Sequence, residues 1–197
     1  MPRPDREGRL ADAAFRLLAK KAWRELTLAS IAKAAKLAWP EVLAIAPSKT
    51  AVAGVMLRRL RAEVAHRYKA DRNSATARER VFDVAMMWFD VQQPRKIALR
   101  SLYDELKSDP LTLISIRRDI VGAVEAMLAL ADADMGRSPS FRAAIVAGVL
   151  AHAIPVWLGD DDDMGKTMAQ LDRDLRRVER FLWPAPPKPQ RKTSRRR

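Results

Sequence analysis

No cysteine occurs in the 197 residues, which excludes a disulfide framework and a thiolate metal site and leaves no thiol chemistry pointing to an oxidising compartment. With only 2 histidines, zinc chemistry is poorly supported and no bound metal is expected. Glycine is scarce at 7, aromatics make up 6%, and no stretch alternates apolar and polar residues over the length of a strand, so sheets are disfavoured. No Ser/His/Asp or Cys/His set, phosphate-cradling glycine loop or paired-carboxylate motif is found. Catalysis and a cofactor are therefore not expected. The N-terminal MPRPDREGR is charged and leads into no apolar signal core, which makes the cytoplasm the expected compartment.

What the chain does contain is 48% hydrophobic residue, enough to bury a core, with Ala, Leu, Arg and Asp recurring at spacings of three and four. The expected fold class is all-α, with about nine helices: a head over residues 1–50, a helical body over 51–183 opened by a connecting helix at 51–70, and a tail over 184–197. Charge divides along the same lines. Residues 1–70 carry 15 Lys/Arg against 6 Asp/Glu, residues 71–183 carry 16 against 18, and residues 184–197 carry 6 against none. The excess of +13 thus sits at the two ends, where it suits a polyanionic partner, either nucleic-acid phosphate or an anionic membrane surface.

In the head, Leu10, Ala13, Ala14, Leu17 and Leu18 share one face of a helix predicted from Arg6 to Lys21. Thr27 is placed to cap a short helix on Leu28, Ile31, Ala32 and Ala35, and Lys36-Leu37-Ala38 turns into a third with Trp39 and Pro40 in its first turn. Ser48 caps a fourth, running to about Tyr68. Three short helices with a turn before the last describe a helix-turn-helix. At Ala13-Ala14, Lys21-Ala22-Trp23, Thr27, Ile31-Ala32, Ala34-Ala35 and Pro47-Ser48-Lys49 the chain resembles the TetR regulator family. That resemblance implies DNA contact by Thr27, Ser30, Lys33, Lys36, Trp39, Pro40 and Lys49, with Thr27 and Lys49 on phosphate and the third helix on bases.

The departures from the family pattern are physical. Ala22 and Lys36 stand where glycines are usual, and a left-handed turn residue other than Gly costs on the order of 1 kcal/mol. The third helix reads AWPEVLAIA and holds no Arg, Asn or Gln, the main readers of base edges. A related branch of the same fold, the lipid-binding accessory proteins of ubiquinone biosynthesis, no longer binds DNA. The body resembles that branch in VFDVAMMWFDVQQPRKIALRSL and VWLGDDDDMGKTMAQLDRDLRRVERF.

In the body, Thr76 with Glu79 forms a capping box, Pro94 and Asp109-Pro110 open two further helices, and residues 71–75 and 136–140 are polar breaks. Ser138-Pro139 starts an apolar helix through Leu158 that Arg142, His152 and Pro155 make unsuited to spanning a membrane. A last helix runs from about Met164 to Trp183, and the final Asp of Asp160 to Asp163 is expected to cap it. The Pro/Arg-rich tail is expected to be a disordered arm. By the resemblance, Ile145, Gly148, Val149, Leu171, Leu175 and Val178 are candidates for a homodimer interface. Met86, Met87, Trp88, Phe89, His152 and Trp157 are candidates for a pocket for a small apolar effector, the Met and Trp types suiting an irregular apolar ligand.

Two functions compete at this point. One is a homodimeric DNA-binding regulator controlled by a small apolar effector. The other is a lipid- or isoprenoid-binding accessory protein whose basic ends meet anionic membrane.

Overall fold

A computed structural model describes residues 5–68, 76–133 and 139–183; the expected breaks at 71–75 and 136–138 and the expected arm at 184–197 lie outside the described residues. Among those described, the chain is all-α, with nine α-helices and two short 3-10 turns and no strand. In chain order the helices are α1 (Arg6–Leu18), α2 (Leu28–Ala35), α3 (Trp39–Ile45), α4 (Lys49–Arg67), α5 (Ala77–Gln92), α6 (Lys96–Ser108), α7 (Pro110–Leu130), α8 (Pro139–Gly159) and α9 (Gly165–Leu182).

Helix α1 starts where the Asp5 carboxylate accepts the Gly8 N–H at 2.8 Å, and a Cβ at Gly8 would lie 2.1 Å from that carboxylate. It ends at Leu18, short of Lys21, because Lys20 and Lys21 both donate back to Leu17 and the 3-10 turn Trp23–Glu25 follows, burying Trp23. Arg6 pairs with Glu41 at 3.1 Å, tying α1 to α3. Helix α3 itself buries Val42 and is followed by buried Ala46.

Helix α4 joins two cores. Its first half buries Val52, Val55, Met56 and Leu60 among α1 to α3 together with Ala98 of α6 and Ile116 of α7, while Val64 belongs to the body cluster. The head core therefore extends past residue 50 into α4 and rests directly on α6. Arg95 adds a clasp here: its two terminal nitrogens bond both oxygens of Glu63 at 2.9 Å, a bidentate pair, and its guanidinium lies 5.1 Å from the Phe15 ring centre.

The body core gathers Phe89, Leu128, Trp157, Leu171, Leu175 and Leu182, with Phe89 5.1 Å from Trp88 and 5.5 Å from Trp157 between ring centres. Arg78 binds Asp172 at 2.9 Å and Glu179 at 3.5 Å, locking α5 to α9. By length and composition the 140–159 segment of α8 could cross a membrane, with mean hydropathy 1.7. Here it is docked on the body through Ala143, Val146, Val149, Leu150, Ala153, Trp157 and Leu158, leaving Ala144, Gly148, Ala151 and Pro155 exposed.

Candidate nucleic-acid interface and apolar cavity

The turn of the head is built by local capping. The Thr27 hydroxyl accepts the Ser30 N–H at 3.1 Å and the Ser30 hydroxyl accepts the Thr27 N–H at 3.1 Å, so both orphan donors at the start of α2 are satisfied. Lys36 ends α2 in the left-handed region, φ 53 and ψ 46. Its carbonyl accepts from Arg9 at 2.6 Å, and the Ala35 carbonyl accepts from the same nitrogen at 2.8 Å. The Ala38 N–H donates to the Glu41 carboxylate at 2.9 Å, one half of a capping box whose other half Ala38 has no side-chain oxygen to make. A helix-turn-helix thus forms without the usual glycine and serine, with Lys36 itself taking the left-handed turn and Arg9 and Glu41 bonding the backbone on either side of it.

Its outer surface carries Thr27, Lys33, Lys36, Trp39 and Pro40, all exposed, and Ser30, half-buried. Lys20, Lys21 and Arg24 stand exposed nearby. Trp39 is 48% and Leu43 40% exposed, so the outward face of α3 is apolar and its cations lie around it rather than on it. Lys49 departs from the expectation of a phosphate grip. Its ammonium donates to the Trp23 carbonyl at 2.9 Å and sits 5.0 Å from the Trp23 ring centre, which holds it against the head itself.

Behind the head lies a cavity of about 380 Å³, a size suited to a drug-sized ligand. Its walls come from α1 (Phe15), α4 (Met56, Leu60), α5 (Trp88), α6 (Leu99, Leu102), α7 (Ile116, Ile120, Met127) and α8 (Ala147, Leu150, Trp157). Of the six residues expected to form a pocket, the structure brings Trp88 and Trp157 to this wall. Phe89 is wholly buried behind them. Met86 and Met87 pack half-buried against the body cluster without lining the space. His152 points out of α8 with its side chain 63% exposed, and its Nδ1 lies 2.7 Å from Asp174, which also accepts from Gln170 and Arg177. These four are corrected as cavity-lining residues. The aliphatic walls on α6 and α7 were missed because Leu and Ile at helical spacing look the same whether they face a core or a space; the one available signal was the length of the stripe from Leu113 through Met127.

The candidate interface residues divide as well. Gly148 is exposed, and Ile145 and Val178 are half-buried. Val149 is buried, and Leu171 and Leu175 are 0% exposed inside the subunit's own core. Leu171 and Leu175 are thus corrected: the subunit's own core uses them, while Met168, Phe181, Arg173, Arg176, Arg177 and Arg180 are exposed on α9.

In the acidic loop, Asp160 rather than only Asp163 organises the start of α9. Its buried carboxylate accepts both the N–H and the hydroxyl of Thr167 at 2.7 Å, while Asp163 accepts the Gly165 N–H at 3.1 Å.

A helix-turn-helix head of three short helices, carried by a long fourth helix on an all-α body with an internal apolar cavity, is the architecture of the TetR-type fold. A solved structure described as a TetR transcriptional regulator from Rhodococcus sp. RHA1 superposes on this chain with a TM-score of 0.57 at 13% identity, covering 91% of this chain and 97% of that one. The likeness is one of fold. No family model matches the chain, and no curated protein matches it.

Proposed function

We propose that the protein is a cytoplasmic, homodimeric DNA-binding regulator whose affinity for DNA is set by a small apolar effector in the cavity. The observation that carries this reading is that the cavity and the head share walls. Phe15 of α1 and Met56 and Leu60 of α4 are at once head core and cavity lining. A ligand that packs against them changes the seat of the head on α6 and so shifts the population of head spacings in a dimer. The exposed stripe Ala144, Gly148 and Ala151 on α8, with its small side chains, supports close approach of a second copy. Phosphate contact would come from Lys33, Lys36 and the neighbouring exposed cations, and groove contact from Trp39 and Pro40.

One observation favours a second reading. The outward face of α3 offers Trp39, Pro40 and Leu43 and no amide or guanidinium, as suits a lipid-binding accessory protein whose basic head and tail meet anionic membrane. A salt-resolved binding assay separates the two, run against the DNA upstream of the protein's own gene, random DNA, and vesicles of anionic phospholipid. The regulator reading predicts preference for the upstream DNA and a negative salt slope. No DNA preference together with tight vesicle binding would replace it with the lipid reading.

A further inference from the structure

Among the described residues, the polar groups on the cavity wall are all donors or cations, with no carboxylate among them. Arg61 of α4, half-buried, and Lys107 of α6, exposed at the rim, line it, together with Tyr103 and the two indoles. Among the described residues, neither Arg61 nor Lys107 pairs with a carboxylate; Lys107 lies 5.3 Å from the Tyr103 ring centre. Arg61 also faces a smaller niche of about 110 Å³ shared with Arg58, Arg118 and one carboxylate, Asp119.

We infer that the cavity takes a single-chain amphiphile with an anionic head, a carboxylate or a phosphate, with its alkyl chain against the aliphatic walls of α4, α6, α7 and α8 and its head held by Arg61 and Lys107. A neutral hydrocarbon makes no use of either cation, and a cationic amphiphile is repelled. Arg61 lies on α4, the rod that also forms the head core, so the charged end of the ligand acts on the element that carries the head. This inference rests on the cavity being an effector site.

Isothermal titration of the full chain with hexadecanoate, hexadecyl phosphate and hexadecanol, each below its aggregation threshold, tests it. One or both anions bind about tenfold or more tighter than the alcohol, the gain of a charge-assisted bond. The double variant Arg61→Gln with Lys107→Gln closes that gap while hexadecanol affinity stays as in the wild type, and Arg61→Lys with Lys107→Arg keeps it open. Equal affinity for alcohol and anions, or a gap that survives the Gln double variant, overturns the anionic-head assignment and leaves an apolar effector site standing. Failure of all three amphiphiles to bind the wild type overturns both.

Discussion

Asp160 ties the loop after α8 to the first turn of α9. Its side chain is 1% exposed, Thr167 gives it two bonds, the Asp161 N–H a third at 3.0 Å, and the Lys166 ammonium lies 3.9 Å away. Burial alone would raise its pKa, but the bonds from Thr167, then that from Asp161, and the Lys166 charge outweigh it and hold the carboxyl below its ordinary 3.8. With the folded value below the unfolded one, the stabilisation is complete above the ordinary carboxylate range and disappears as pH falls through the folded value. Asp160→Asn should therefore cost about 1–3 kcal/mol at neutral pH, and urea titrations from neutral pH down should give the variant a shallower acid limb than the wild type. A limb of unchanged steepness would mean that Asp160 is not the titrating group. Lys36 gives the opposite sign. Its φ of 53 strains any side chain with a Cβ, so Lys36→Gly should raise stability by up to about 1 kcal/mol while weakening DNA binding through the lost charge. The two effects are read separately, by thermal denaturation and by a DNA titration.

At the scale of elements, α8 and α9 have different outsides. Gly148 is exposed, and a Cβ added there would meet no heavy atom within 4 Å. Gly148→Arg should therefore leave the fold intact, or slightly firmer through better helix propensity, and convert dimer to monomer in sedimentation. Leu175→Asp should instead unfold the body, since it buries an unpaired carboxylate in a 0% exposed site; a folded monomer from that variant would return α9 to the interface. The contrast marks what local sequence carries. Capping is a matter of a few neighbouring atoms, and Thr27, Ser48 and Thr76 cap α2, α4 and α5 as their side-chain chemistry dictates. Helix periodicity likewise located the apolar stripes on α1, α4 and α9. Which neighbour a stripe meets is a property of crossing geometry instead, and so the resemblance offered Leu171 and Leu175 to a partner though they pack inward. For the same reason the cavity was legible in Trp88 and Trp157, residues conspicuous by size, and not in the Leu and Ile of α6 and α7 or in the exposed His152. Pro94 falls in a 3-10 turn, and α6 begins only at Lys96.

At the scale of the whole molecule, head and cavity share one set of side chains. Phe15 contacts the Arg95 guanidinium and the cavity, Arg95 clasps Glu63 of α4, and α1 lies on α6. A ligand that biases this seat must change DNA affinity by a factor that DNA returns on the ligand, since coupling between two binding equilibria is reciprocal. The factor expected for such a device is about 5- to 150-fold, and it should be measured in both directions: DNA titrations with the cavity saturated by an amphiphile, and amphiphile titrations with DNA saturating. Arg95→Ala removes the clasp and the cation over Phe15 without touching the DNA-facing residues or the polar groups of the cavity. It should leave each ligand's own affinity within a few-fold of wild type and bring the coupling factor toward one. Coupling at full strength in that variant would place the communication in the shared wall residues Phe15, Met56 and Leu60 themselves and would remove Arg95 from the mechanism.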